Sequence, residues 1–141
     1  MELLLSQRVR SVRLLVPAPY RYDEWELSNA IAARDKRGAV AALFKRVREG
    51  APEPLMVGSL ASAVRTLMMV RDLADRGRPA TAIAKATGLH PYVVSKTLRG
   101  AAAYEPHALR EAHRMLAALD RSSKEGAADA VDGLFATLLA L

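Results

Sequence analysis

The chain has 141 residues, 51% of them hydrophobic, with 21 Lys plus Arg against 15 Asp plus Glu and a net charge of +6. That length suffices for one domain with a core of its own. With no cysteine, disulfides and thiolate metal sites are excluded, and no stretch nears the roughly 20 apolar residues that a membrane span needs. The opening Met-Glu-Leu-Leu-Leu-Ser-Gln-Arg lacks the basic lead of a secretion signal, so the expected compartment is the cytoplasm. Basic residues outnumber acidic ones over residues 1–100 and the balance reverses over 101–141, which favours an anionic partner near the first two thirds.

Alanine is abundant, β-branched residues are scattered and no alternating pattern stands out, so the expected fold is all-α, a single domain of roughly eight helices. Leu3, Leu4, Val9, Val12, Leu15 and Val16 follow a helical period that Pro17 and Pro19 end. Asp23 and Glu26 have capping-box spacing for a helix over 24–33, with Trp25, Leu27 and Ile31 on its buried side. Asp35 can cap a third helix in which Val40, Leu43, Phe44 and Val47 form the apolar stripe and Gly50 the stop. Pro52 and Pro54 open the longest helix, which ends at Gly77. Leu60, Val64 and Leu67 lie on its inner face, apolar residues on nearly every side of 55–70 predict the central position, and Met56, Met68 and Met69 are expected as core filler. Pro106 opens a helix with Leu109, Ala112, Leu116 and Leu119 inward. Val131, Leu134, Phe135 and Leu138 mark the last one.

Between these lies the most informative stretch, residues 79–101. Pro79 suits a helix start, Thr87-Gly88 a left-handed stop, and Pro91 the start of a second helix with Val94 and Leu98 on one face. Ala84, Gly88 and Val94 are spaced like the small residue, turn glycine and buried apolar residue of a helix-turn-helix. The stretch carries Lys85, Lys96 and Arg99 and no acidic residue. These three are the expected contacts to DNA phosphates.

Catalytic and ligand-binding patterns are missing. Neither Gly-x-x-x-x-Gly-Lys-Ser/Thr nor Gly-x-Gly-x-x-Gly occurs, so no cofactor and no nucleotide site of those kinds is expected. His107 and Glu111 share a helix face while His113 lies roughly opposite, too few ligands together for a metal. His90 before Pro91 reads as a helix-opening residue. Ser122, Ser123 and Lys124 have no evident base or oxyanion loop. Asp120 and Lys124 have the spacing of an exposed ion pair, and Glu125, Asp129 and Asp132 offset the dipole at the start of the last helix. No enzyme is expected.

Glu26-Leu27-Ser28-Asn29-Ala30-Ile31, the Ala-rich helix to Gly50, and Leu60-Ala61-Ser62-Ala63-Val64-Arg65-Thr66-Leu67 occur in an order that resembles a known family. So do Ile83 to Lys96, with its His90-Pro91-Tyr92, and Leu119-Asp120 followed by Lys124 and Gly126. The sequence resembles the C-terminal region of the delta subunit of the bacterial DNA polymerase III clamp loader over residues 22–141. The resemblance implies a helical collar domain over 22–141, with 1–21 as a connecting helix. It implies a non-catalytic part whose partners are the collar domains of the other loader subunits. An ATPase-like region preceding it in the family grips the sliding clamp, and no residue of that grip has a counterpart in this sequence. The helix-turn-helix then packs within the domain through Ala84, Val94 and Leu98, and any DNA binding is weak and non-specific. Leu134, Phe135, Leu138 and Leu139 are the expected partner contacts. The alternative reading is a helix-turn-helix transcription regulator.

Overall fold

A computed structural model describes the backbone over residues 19–124 and 130–141, and side chains over 26–122 and 130–141. The expected helix over 3–16, the side chains of Trp25 and Lys124, and residues 125–129 lie outside the described residues. Seven helices and no strand occur among the described residues: α1 (Pro19–Ala32), α2 (Lys36–Arg48), α3 (Glu53–Asp75), α4 (Ala80–Thr87), α5 (Pro91–Ala101), α6 (Pro106–Lys124) and α7 (Ala130–Ala140).

Helix α3, the longest with 23 residues, opens at Pro52 and Glu53 and is the central one. It touches α1, α4, α5, α6 and α7. Met56, Val57, Leu60, Val64 and Leu67 face a main core shared with Leu27 and Ile31 of α1, Leu43 of α2, Leu109 and Leu116 of α6 and Leu134 of α7. Each such buried side chain contributes about 1.5–3 kcal/mol relative to exposure. The core uses fewer sides of α3 than its composition suggests. Leu55 and Met69 are exposed. Of the three methionines expected as filler, Met56 is core, Met68 packs against it, and Met69 faces outward.

Two other local expectations shift. Helix α1 begins at Pro19, so Asp23 and Glu26 lie inside it rather than forming a capping box. Proline suits that first position because its missing N–H has no partner there. On α2 the inner face is Ala39, Ala42, Leu43 and Arg46, while Phe44 points out. The helix packs between α1 and α7, where small residues let the helices approach and the Arg46 stem fills volume. The two terminal nitrogens of Arg46 are buried with no hydrogen-bond partner among the described residues. Asp35 caps α2 as expected, its carboxylate accepting the Gly38 N–H at 2.9 Å.

Candidate functional site

The helix-turn-helix is built by short-range chemistry. Pro79 is the extended residue just before α4, one place earlier than expected, and Gly88 closes α4 in the left-handed region at φ 74°. Thr87 Oγ1 donates to the Ile83 carbonyl at 2.7 Å and accepts from the Leu89 N–H. His90 caps α5, its Nδ1 accepting the Tyr92 N–H at 3.1 Å. This is the helix-opening role its sequence position suggests. Ile83, Ala84 and Val94 form a small second core with Val70 of α3, and Leu98 packs against it.

Three contacts fix α5 in place. Gly100 lies so close to the end of α1 that an added Cβ would meet the Ala32 carbonyl oxygen. Arg71 of α3 donates through Nη1 to the Ala101 carbonyl at 2.8 Å, and also to the Tyr104 carbonyl. The guanidinium thereby ties the last carbonyl of α5, which also accepts the Tyr104 N–H at 3.2 Å, to a carbonyl in the turn beyond it. Tyr104, buried just beyond α5, donates its hydroxyl to the Ile31 carbonyl at 2.6 Å. The Arg34 guanidinium stands 5.6 Å over its ring.

Burial raises the Tyr104 pKa from 10.0 to about 12, against a smaller opposing pull from Arg34. The folded chain therefore holds this proton more tightly than the unfolded chain does. The stability this supplies is full below pH 10.0 and is lost as pH rises towards about 12. Tyr104→Phe is expected to melt earlier than the parent at neutral pH, for want of the hydrogen bond, by about 1 kcal/mol. The gap should narrow as pH climbs above 10. Thermal melts of both proteins between pH 7 and 11 check this, and a constant gap would contradict it.

With α5 fixed, its outer face carries Tyr92, Ser95 and Arg99, all exposed, with Lys96 half-buried beside them. Lys85 is exposed on α4. Lys96 and Arg99 thus share one face of α5, whereas Lys85 stands on a separate helix. Lys96 also borders a groove of about 390 Å³ between α1, α3 and α5, lined in part by Ser28, Asn29, Ser62 and Thr66.

The residues expected as partner contacts separate. Leu134 and Leu138 are buried in the core, Phe135 packs against it, and Leu139 is exposed. Helix α7 packs against α6, α2 and α3, which takes up the face bearing Leu134 and Leu138. On α6, Glu111 accepts the Arg114 Nε–H at 3.1 Å, which holds its carboxyl below the usual range. No group of three His, Asp or Glu gathers to hold a metal among the described residues. No helix of the described residues is long and apolar enough to cross a membrane.

The profile of the family described as DNA polymerase III delta subunit, C-terminal domain, matches residues 23–140. The chain belongs to this family. The delta C-terminal fold is also seen in the solved structure of the DNA clamp loader delta protein of Bacillus subtilis, with a TM-score of 0.71 at 21% identity. That match covers 83% of this chain and 34% of the Bacillus protein, so this chain corresponds to about a third of it. No curated protein sequence matches the chain.

Some residues that shape this delta domain escape sequence reading. Gly100 offers a weak signal, since a glycine inside a helix costs stability and points to a close approach. Arg71 offers none, because periodicity alone does not separate it from Val70 as the inward residue. Tyr104 follows the end of α5 with no pattern to mark it.

Proposed function

We propose that this delta domain is a non-catalytic collar that holds the clamp-loader subunits together while the sliding clamp is loaded onto primed DNA. The observation that carries the reading is the family match over residues 23–140, nearly the whole chain. The division of labour within the chain agrees with it. The arginine, tyrosine and aspartate contacts described above cap and clamp helices. In this reading the sliding clamp is gripped by a region that precedes this one in the complete subunit. Residues 1–21 connect the two, and 22–141 form the collar. The experiment that tests the assembly role is co-elution of this chain with the other loader subunits on gel filtration, expected with at least one of them and contradicted by separate elution from all.

DNA is a secondary partner in this account, met through Lys85, Lys96 and Arg99 by charge alone. Such contact is sequence-blind and weakens steeply with salt, because each neutralised phosphate releases counterions. Replacing Lys96 and Arg99 together by Ala is expected to weaken binding to every duplex alike and to flatten the salt dependence by about two charges' worth. Fluorescence anisotropy with several unrelated duplexes at two or more salt concentrations reads this. A loss confined to one preferred sequence would instead support a transcription regulator that reads bases with α5.

A further inference from the structure

Helices α2 and α7 pack against each other along a seam. At one end Lys36, opening α2, donates its ammonium to the Leu139 carbonyl at the end of α7, at 3.1 Å. Val40, Phe44 and Val47 lie on one flank of α2, spaced four and three apart, and Val131, Phe135 and Leu139 lie on one flank of α7, four apart. The opposite flank of each helix is already assigned. On α2, Gly38 and Ala42 border the groove towards Asn29 of α1 and Ala33 just beyond it. On α7, Gly133 faces the Leu119 side chain of α6. The two apolar flanks are thus left on the side of each helix away from those neighbours, where α2 and α7 pack together. Val40, Val47, Val131 and Phe135 are half-buried there against the core, and Phe44 and Leu139 remain 55% and 62% exposed.

The border of this strip is basic along α2. Arg37 and Arg48 are exposed on α2 beside Phe44, and the Arg48 guanidinium lies 5.9 Å over the Phe44 ring. Across the seam, α7 presents exposed Asp132 three residues before Phe135, and then exposed Ala136 and Ala140, small residues that leave room for a close approach. An apolar strip basic along α2 and acidic at Asp132 on α7 fits a helix with complementary chemistry: an apolar face with carboxylates along the edge that meets α2 and none along the edge that meets α7. A phosphate backbone would leave the strip uncovered.

We propose that the α2–α7 seam, with Phe44 and Leu139 exposed on it, is the face on which this domain receives a helix of a neighbouring loader subunit's collar, apolar on one side and carrying Asp or Glu along the edge that meets α2. This rests on the assembly reading above and adds the face and the character of the partner helix. Aromatic and arginine side chains at the centre of an interface carry a large share of binding energy.

The test uses this chain with the other loader subunits of its own organism, and variants Phe44→Asp and Leu139→Asp. Met69→Asp is the control, since Met69 is 41% exposed on α3 away from the seam. All three substitutions fall on exposed positions and are expected to melt like the parent. The two seam variants should bind partner subunits at least tenfold more weakly by titration, and the control should bind as the parent does. Parent-like binding by both seam variants would overturn the proposal while leaving the assembly role intact. If a seam variant melts early, hydroxyl-radical footprinting of the unaltered chain decides: protection of Phe44 and Leu139 in the complex supports the seam, and unchanged labelling overturns it. Self-association of the chain alone with the same two residues protected would make a second copy the occupant and overturn the proposed partner.

Discussion

Gly100→Ala is expected to destabilise the domain by about 2–3 kcal/mol, although alanine is the better helix former. An added Cβ there would run into the Ala32 carbonyl oxygen, with the Ala33 Cα 3.2 Å away. Both obstacles are backbone at the end of α1, which cannot swing aside as a side-chain tip can. To accommodate the methyl group α5 must move off α1, stretching the Tyr104–Ile31 hydrogen bond and opening the second core. The control is Gly58→Ala, inside α3, where nothing lies within 4 Å of an added Cβ. That change should stabilise by about 0.5–1 kcal/mol through backbone entropy and helix propensity. One chemical change with opposite signs at two helical sites is read directly by denaturant or thermal melts. Equal effects at both positions would show that α5 does not lie against α1 as described.

Arg71→Met is expected to cost about 2–3 kcal/mol, the range for losing hydrogen bonds from a charged donor whose acceptors stay partly buried. The substitution keeps an apolar stem against the core and removes the donors to the Ala101 and Tyr104 carbonyls. Its ion pair with Asp75, at 3.7 Å on an exposed carboxylate, adds little to that loss. Lysine should recover only part of the stability, since its flexible, strongly hydrated ammonium is less well preorganised than the planar guanidinium whose Nη1 donates to both carbonyls. Amide exchange should quicken most at the end of α5 and through Tyr104. Exchange that quickened evenly across the chain would mean Arg71 has no special hold on this helix.

The parts of the fold set by short-range chemistry are legible in the sequence. The Gly88 turn, the Asp35 cap, the His90-Pro91 opening of α5 and the inward set Leu60, Val64, Leu67 each depend on a few neighbouring residues, and the structure has them where the spacing places them. What escapes is set by which element covers which face. Phe44 and Leu43 are adjacent and both apolar, and only the position of α7 beside α2 decides that Leu43 goes in and Phe44 stays out. Leu138 and Leu139 pose the same problem on α7. Arg46 is the sharpest case, because its charge argues for the surface and its place between α1 and α7 puts it inside. The phosphate-contact candidates were readable as a basic, acid-free stretch. That Lys96 and Arg99 share a face of α5 without Lys85 follows from the fold.

The most direct measurement is gel filtration of the unaltered chain, at tens of micromolar, mixed with each of the other clamp-loader subunits from the same organism. A collar predicts an earlier-eluting peak containing this chain and at least one partner. The peak should persist without DNA and without ATP, because the contact joins helical domains rather than nucleotide sites. Separate elution from every loader subunit, with the chain folded by its melt, would contradict the assembly role itself.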